Sequence, residues 1–518
     1  MILISSAAYI GQDLSAEVGL IPPSFLPIGN QRLYEHQISS LHGLDEDIYL
    51  SLPASYSLNE ADKNQIEQLG ANILFVPDNI SLGESILYCW NATGKNYSDL
   101  KILHGDTLFL GFSPCDGDLV SISHNKGAYE RAYVEFNGLG HLTDLHQDWV
   151  NDNRFVLSGY FCFSEPQYLM KCIIEAKNSF VDSIKSYSNK YAIFCFKTEQ
   201  WLDFGHLNSF FTSRTEVTTQ RAFNDLKISK RTVTKFSSDL TKMQAESNWF
   251  ESLPPSLRLF TPSLLQPYLQ KENKGLYSIE YLYLLPLSDL LVFGNLSTES
   301  WRHIFLSAKN MLNELSGHSS MVDIDPSEFH QLYLQKTLSR LSDFALQTEK
   351  EVGSLISMAE ESAFFISEPS PELACIIHGD FCFSNILHDS RVGSIKLIDP
   401  RGLNGYRELS IYGDKRYDLA KFFHSAIGCY DLIIAGRYFL IDGVIGFYDL
   451  DRLDAIEKAF DRVFFDNKEV VSKKELLAIN VQLFLSMLPL HHDRPDRQQA
   501  MIANAKRLFQ KLISMDSL

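Results

Sequence analysis

Two short segments in the C-terminal half carry the side chains that moving a phosphoryl group requires. In CIIHGDFCFSNIL an apolar run leads into His378-Gly379-Asp380, and Asn385 follows shortly after; in SIKLIDPRG a second apolar run ends in Asp399. Transfer of a γ-phosphoryl group needs a carboxylate to orient or deprotonate the attacking hydroxyl. It also needs hard oxygen ligands that hold Mg²⁺ against the phosphates. Asp380, at the tip of a strand, suits the first task, and the side-chain oxygens of Asn385 and Asp399 suit the second. Gly379 and Gly402 allow the tight backbone of such a site. Taken singly, His-Gly-Asp is also an ordinary turn and Ile-Asp-Pro an ordinary strand end. The ordered set is what points to chemistry.

Elements must position these groups. The first two hundred residues alternate short apolar runs with amphipathic stretches. Strands are expected over 1–5, 47–52, 71–76 and 101–104, and helices over 33–41, 60–69 and 81–90. Strands alternating with helices imply an α/β domain with a mostly parallel sheet, whose ligands sit beyond the carboxyl ends of the strands. The text changes to a polar, basic stretch over 212–230. After it come a β-like run at 231–237, a helix at 239–250, a β-rich run at 276–285 and, from about 297, long helical patterns. The expected domains are therefore 1–220 and 221–518. The second is α+β, with a small lobe over about 221–297 and a larger one over about 298–518.

Bulk composition limits the function classes. The chain has 518 residues, 45% of them hydrophobic and 21% charged, with a formal net charge of −18. A soluble enzyme of several domains is the natural reading. The acidic balance excludes a general binder of nucleic-acid polymers, which needs a basic face, but leaves nucleotides open. The eight cysteines form no CxxC pair and no His-flanked zinc pattern, so they read as reduced, buried thiols. The start MILISSAAYIGQD lacks a basic n-region, and no apolar run approaches the roughly 20 residues that span a bilayer. The expectation is a cytoplasmic protein without a membrane span; homo-oligomerisation is left open.

The HGDxxxxN pattern followed by a strand ending in Ile-Asp resembles the aminoglycoside phosphotransferase and choline kinase-like family, within the protein-kinase-like fold. His378, Asp380, Asn385 and Asp399 match, and Pro400 departs from the aromatic or similar residue usual after that Asp. The resemblance covers the chain after about residue 225. It implies that Lys235 in VTKFS binds ATP phosphates and that Glu246 on the next helix is its partner. It further implies that Glu280 and Leu282 belong to the hinge that meets adenine through backbone groups. Asp414 and Asp418 lie where such proteins bury a structural Asp. ATP and Mg²⁺ are the implied cofactors.

In the first half, IPPSFLPIGNQRLYEHQISSL, LKILHGDTLFL and EQWLDFGHLNSFF resemble three segments of sugar-phosphate nucleotidyltransferases. The resemblance implies a nucleotide-diphospho-sugar transferase fold in which Asp106 and Asp203 bind one Mg²⁺ facing CTP or another NTP. Two departures stand beside it. The Gly-rich, Arg-bearing loop of that family is replaced by ISSAAYIGQDLSAEVG, and its activating Lys by Pro22-Pro23-Ser24. Arg32, Arg214 and Arg221 are the cations that could take over. Ser158 to Phe161 resembles the strand bordering the sugar pocket, and Gly83 is a weak candidate for the nucleobase side.

Together the two resemblances imply a bifunctional enzyme. It phosphorylates a small sugar or polyol and activates the product as a nucleotide conjugate, in the manner of bacterial capsule or lipopolysaccharide synthesis. The alternative is a kinase whose first domain is a non-catalytic module for binding a nucleotide sugar or glycan.

Overall fold

The computed structural model describes the chain apart from residues 42–45, 112–115, 126–128, 151–153, 218–224, 319–331, 350, 467–470 and 516–518. The chain divides into two compact units, Met1–Val217 and Thr218–Leu518. The boundary expected near residue 220, with Arg221, lies outside the described residues. So does Cys115.

Unit 1 is an α/β domain. Strand Ile2–Ser5 lies between Ile48–Pro53 and Leu100–His104, parallel to both, and Ala71–Val76 adds in parallel outside Ile48–Pro53. Ile2–Ser5 and Ile48–Pro53 are buried almost throughout, as strands covered on both faces must be. Helix Glu60–Gln68 provides the crossover between the parallel neighbours Ile48–Pro53 and Ala71–Val76, and Leu82–Thr93 carries the chain back across the sheet to Leu100–His104. Ser81 starts the second of them with a capping box, its hydroxyl accepting from the Glu84 N–H while Glu84 accepts from the Ser81 N–H. The seven elements read from the sequence up to His104 are all present, with ends moved by no more than a turn. Beyond them the sheet turns antiparallel: Phe155–Phe163 pairs with Leu100–His104, and Tyr129–Phe136 and Leu142–Val150 extend that edge. Gly83 is buried in a packing contact, its α-carbon facing the Asn178 carbonyl.

Unit 2 is α+β. Its small lobe is a four-stranded antiparallel sheet in the order Asp225–Ile228, Thr232–Ser237, Lys274–Glu280, Leu264–Lys271, covered by helix Leu240–Ser252. The β-rich run expected over 276–285 is two strands. The first ends at Glu280, and Leu285–Pro286 pairs with Ile386–Asp389 in another sheet. Between them the Tyr281 N–H bonds to the Arg231 carbonyl and the Leu284 N–H turns back on the Leu282 carbonyl. The larger lobe is built of helices, including Thr298–Ser316, Leu334–Thr348, Lys415–Ala426, Leu450–Phe464 and Lys473–Met487. Phe381 and Phe383 pack against Phe422, and Phe383 stacks on Trp301 at 5.8 Å between ring centroids. That aromatic core anchors the segment between Asp380 and Asn385, and Cys382 is buried within it.

The seven described cysteines are free and buried. Among the described residues no helix is long and apolar enough to cross a membrane.

One buried ion network ties the larger lobe together. Arg416, 1% exposed, binds Asp414 at 2.6 Å, Glu475 at 2.9 Å and the Ser367 carbonyl at 2.8 Å. Removing one partner leaves buried charge uncompensated, so Arg416→Met should cost unit 2 about 3–5 kcal/mol. Differential scanning calorimetry should show one transition lowered by on the order of 10 °C, with the transition of unit 1 unmoved.

Candidate active site

The carboxylate of Asp418, on helix Lys415–Ala426, accepts the backbone N–H of His378 at 2.6 Å and of Gly379 at 2.8 Å. Burial pushes its pKa up to about 7, against the lowering effect of those two donors. His378 is fully buried, which lowers its pKa and keeps the ring neutral; its Nε2–H donates to the Ile398 carbonyl at 2.9 Å. The His-Gly-Asp loop is thereby fixed to the strand end that bears Asp399. Gly379 has φ +77°, and a Cβ there would stand 2.7 Å from the Arg401 Cβ. Gly402, at φ +63°, has no room for a Cβ against the Ala245 carbonyl.

Within this frame the candidates converge. Lys235 Nζ lies 2.6 Å from Glu246 Oε2 and 3.0 Å from Asp399 Oδ1. Burial opposes its charge, but Asp399 and Glu246 together raise its pKa above the ordinary lysine value. Tyr277 O–H donates to the same Glu246 oxygen at 2.6 Å. Asp380 Oδ1 meets Lys421 Nζ at 2.9 Å, and its Oδ2 accepts from Asn385 Nδ2 at 2.9 Å. Burial alone would raise the Asp380 pKa; Lys421 overrides it and holds the carboxyl below the usual range. With Asn385 Nδ2 spent on Asp380, its side-chain oxygen accepts from the Ser384 hydroxyl at 3.3 Å. The Ile398 N–H bonds to the Asn385 carbonyl at 3.0 Å, which brings Asn385 beside Asp399. One amide oxygen and one carboxylate in the same cavity fit a hard divalent cation. Lys235, Glu246, Asp380, Asn385 and Asp399 line a single cavity of about 500 Å³. Glu280 and Leu282 are not among its lining residues. Glu280 is exposed, and its carboxylate accepts from the Ser263 hydroxyl at 3.0 Å.

In unit 1, strand Trp201–Asp203 pairs antiparallel with Thr107–Phe109, and Asp203 falls opposite Thr107. The register sets Asp203 beside Asp106, and the carboxylates of both lie around Gly205. Burial and then the Asp203 charge raise the Asp106 pKa. Arg131, from strand Tyr129–Phe136, forms an ion pair with Asp203. Of the cations named from the sequence, Arg32 is buried against Asp62 at 3.0 Å and the Phe25 carbonyl at 2.8 Å, so it serves the fold. Arg214 lies over the Phe210 ring. Ser24, in the Pro22-Pro23-Ser24 segment that replaces the activating Lys, donates to the Gly105 carbonyl at 3.1 Å. Gln37 donates to the Gly105 and Thr107 carbonyls, so two side chains clamp the turn that carries Asp106. Glu46, Asp99 and Asp116 also converge, but on the ammonium of Lys101 and, for the first two, on the terminal amine.

Three contributors were not named from the sequence. Tyr277 is the direct cross-strand partner of Lys235, a signal that needs the strand register. Lys421 lies one helical turn after Asp418, so it must share that face, which is legible once Asp418 is known to hold the loop. Arg131 is in the antiparallel edge, which carried no motif.

No protein-family model matches the sequence, and no curated protein matches it. Solved structures of both expected kinds align with the chain. A nucleoside-diphosphate-sugar pyrophosphorylase from Vibrio cholerae is 12% identical, covering 41% of this chain and 99% of its own, at a TM-score of 0.36. The CTP:phosphocholine cytidylyltransferase of Streptococcus pneumoniae is 14% identical, with coverages of 42% and 98% and a TM-score of 0.35. A thermostable mutant of the aminoglycoside phosphotransferase APH(4)-Ia is 13% identical, with coverages of 57% and 92% and a TM-score of 0.39. At these scores the likenesses carry no argument about activity, which rests on the side chains.

The Lys421–Asp380 pair gives a titration with a definite sign. In Lys421→Met the opposing charge is gone and burial dominates, so the Asp380 carboxyl should titrate above the ordinary Asp value instead of below it. Carboxyl-carbon NMR titration, with Asp380→Asn to assign the resonance, measures the change. An Asp380 pKa left below the ordinary value in Lys421→Met would show that Lys421 is not its cause.

Proposed function

We propose that unit 2 is an ATP-dependent phosphotransferase acting on a small hydroxylated acceptor, a sugar or polyol. The observation that carries this reading is one cavity holding Lys235 between Glu246 and Asp399 together with Asp380 and Asn385. Lys235 neutralises nucleotide phosphate charge, and Glu246, braced by Tyr277, fixes its position. Asn385 and Asp399 hold Mg²⁺, which supplies positive charge to the phosphates. The family resemblance assigns adenine to the backbone of Glu280 and Leu282, beyond the residues that line this cavity. The acceptor hydroxyl oxygen attacks the γ-phosphorus as the bond to the β–γ bridging oxygen breaks. ADP leaves, and the hydroxyl proton passes to Asp380, which Lys421 keeps ionised.

For unit 1, the juxtaposed Asp106 and Asp203 support Mg²⁺-assisted nucleotidyl transfer to the phosphorylated product, with CTP or another NTP, as in making a precursor for capsule or lipopolysaccharide. A second reading is favoured by Arg131: a guanidinium already paired with Asp203 suits a non-catalytic module that binds a nucleotide sugar or glycan.

Purified protein incubated with ATP, CTP or other NTPs and a panel of sugars and polyols separates these readings when ADP and pyrophosphate are followed independently. ADP formation should fall at least about 10²-fold in Asp380→Ala. If that variant forms ADP at the wild-type rate, the phosphotransfer assignment is wrong. Pyrophosphate released by the wild type and lost in Asp106→Ala supports nucleotidyl transfer. ADP without pyrophosphate supports the binding module.

A further inference from the structure

The cavity around Asp380 is far more basic than the chain that builds it. Seven cationic side chains and four carboxylates line it, in a protein of net charge −18. Four of the cations are matched. Lys235 has Glu246 and Asp399, Lys242 has Glu246 at 3.8 Å, Arg407 has Asp239 at 3.7 Å and Lys421 has Asp380. Among the described residues, Lys336, Arg340 and Arg401 have no carboxylate at ion-pair distance. Lys336 and Arg340 are four residues apart on helix Leu334–Thr348 and so project from one face. Lys336 Nζ donates to the Tyr417 hydroxyl oxygen at 3.0 Å, and the Arg401 guanidinium lies 6.0 Å from the centroid of the same ring. Arg401 is brought beside the Asp380 loop by the close approach of Gly379.

The local field registers this crowding. Burial lowers the Lys336 pKa, and the charges of Arg401 and Lys421 lower it further, against Tyr417. Burial would raise Tyr417, yet Lys336, Lys421 and Arg401 bring it down to about 8. Like charges gathered without counter-ions repel one another, and a bound anion relieves that repulsion. The two lysine-based assemblies also occupy different parts of the cavity lining. Lys235 is held by Glu246 and Asp399, whereas Lys336 and Arg401 meet over Tyr417, the residue before Asp418.

We propose that the acceptor is itself anionic: a hydroxylated compound bearing a phosphate or carboxylate group, held by Lys336, Arg340 and Arg401 while its hydroxyl faces Asp380. This rests on the phosphotransfer reading above and adds the charge of the substrate. A cationic acceptor such as an amino sugar is repelled by the same residues. Ser486, Met487 and Leu490 complete the lining on the side of helix Lys473–Met487 and offer a largely apolar surface to the carbon skeleton.

Two measurements test the inference separately from the reading beneath it. The first is ADP formation with matched acceptors: glucose, glucose 6-phosphate and glucuronate, and glycerol, glycerol 3-phosphate and glycerate. One anionic class should exceed its neutral counterpart in kcat/KM by about tenfold or more, and Arg340→Gln and Arg401→Gln should each remove about that factor through the acceptor KM. The phosphate and carboxylate arms show which anion is read. Neutral acceptors used as well as anionic ones overturn the inference while phosphotransfer stands. The second measurement needs no turnover. Calorimetric titration with glycerol 3-phosphate, glycerate and glycerol should show saturable binding of an anion only, weakened about tenfold in Arg340→Gln, whose half-exposed position makes it the safer variant for folding. Absence of anion binding overturns the inference. So does anion binding abolished by a non-hydrolysable Mg·ATP analogue, since the cations would then serve the nucleotide. Anion binding retained beside the analogue, in a protein that forms no ADP with any acceptor, supports the anion site and rejects phosphotransfer.

Discussion

Everything at the centre of unit 2 depends on one buried carboxylate. Asp418 accepts the N–H groups of His378 and Gly379, two donors that a tight loop inside the protein would otherwise leave unsatisfied. A carboxylate in that place is costly, because burial opposes its charge. The two short hydrogen bonds offset part of that cost, and they determine where the next residue, Asp380, must stand. The same helix supplies Lys421 one turn later, so one element holds the loop and sets the charge state of its carboxylate. His378 then carries the constraint onward through the Ile398 carbonyl to Asp399. Three sequence-distant segments are thus aligned by a few contacts that no ligand makes.

Unit 1 solves a related problem with strand register. Asp106 and Asp203 are almost a hundred residues apart, yet the pairing of Trp201–Asp203 with Thr107–Phe109 leaves them no choice but adjacency. Two adjacent carboxylates repel, which adds to burial in raising the pKa of Asp106. A cation must answer that repulsion, and here Arg131 does so in part. Ser24 shows a different economy. Where a lysine was expected to act on substrate, a serine of the same segment holds the Gly105 carbonyl instead.

The parallel half of unit 1 was legible because buried strands read as apolar runs and their crossovers as amphipathic helices with clear caps. The antiparallel edge was not, since Tyr129–Phe136 and Leu142–Val150 mix polar and apolar residues without a motif. In unit 2, Asp380, Asn385 and Asp399 could be named from local spacing because two short segments, each opened by an apolar run, carry all three. Lys235 and Glu246 required a known family pattern, and Tyr277 required the pairing register. Lys336, Arg340 and Arg401 were invisible for another reason: each is an ordinary basic residue in its own segment, and only folding makes them neighbours. The run at 276–285 misled because β-favouring residues continue past Glu280 while the backbone turns to a different partner.

Gly402 has a mechanical meaning beyond its dihedral angle. Its α-carbon sits so close to the Ala245 carbonyl that no side chain fits between them. Ala245 precedes Glu246 on the helix of the small lobe, and Gly402 follows Asp399 by three residues in the larger one. The two lobes therefore meet backbone to backbone beside the residues that grip Lys235. A helix seated this way has no room to move inward over the Asp399 loop. The contact works as a stop: backbone packing at Gly402 limits how near the helix bearing Glu246 can come to the Asp399 loop.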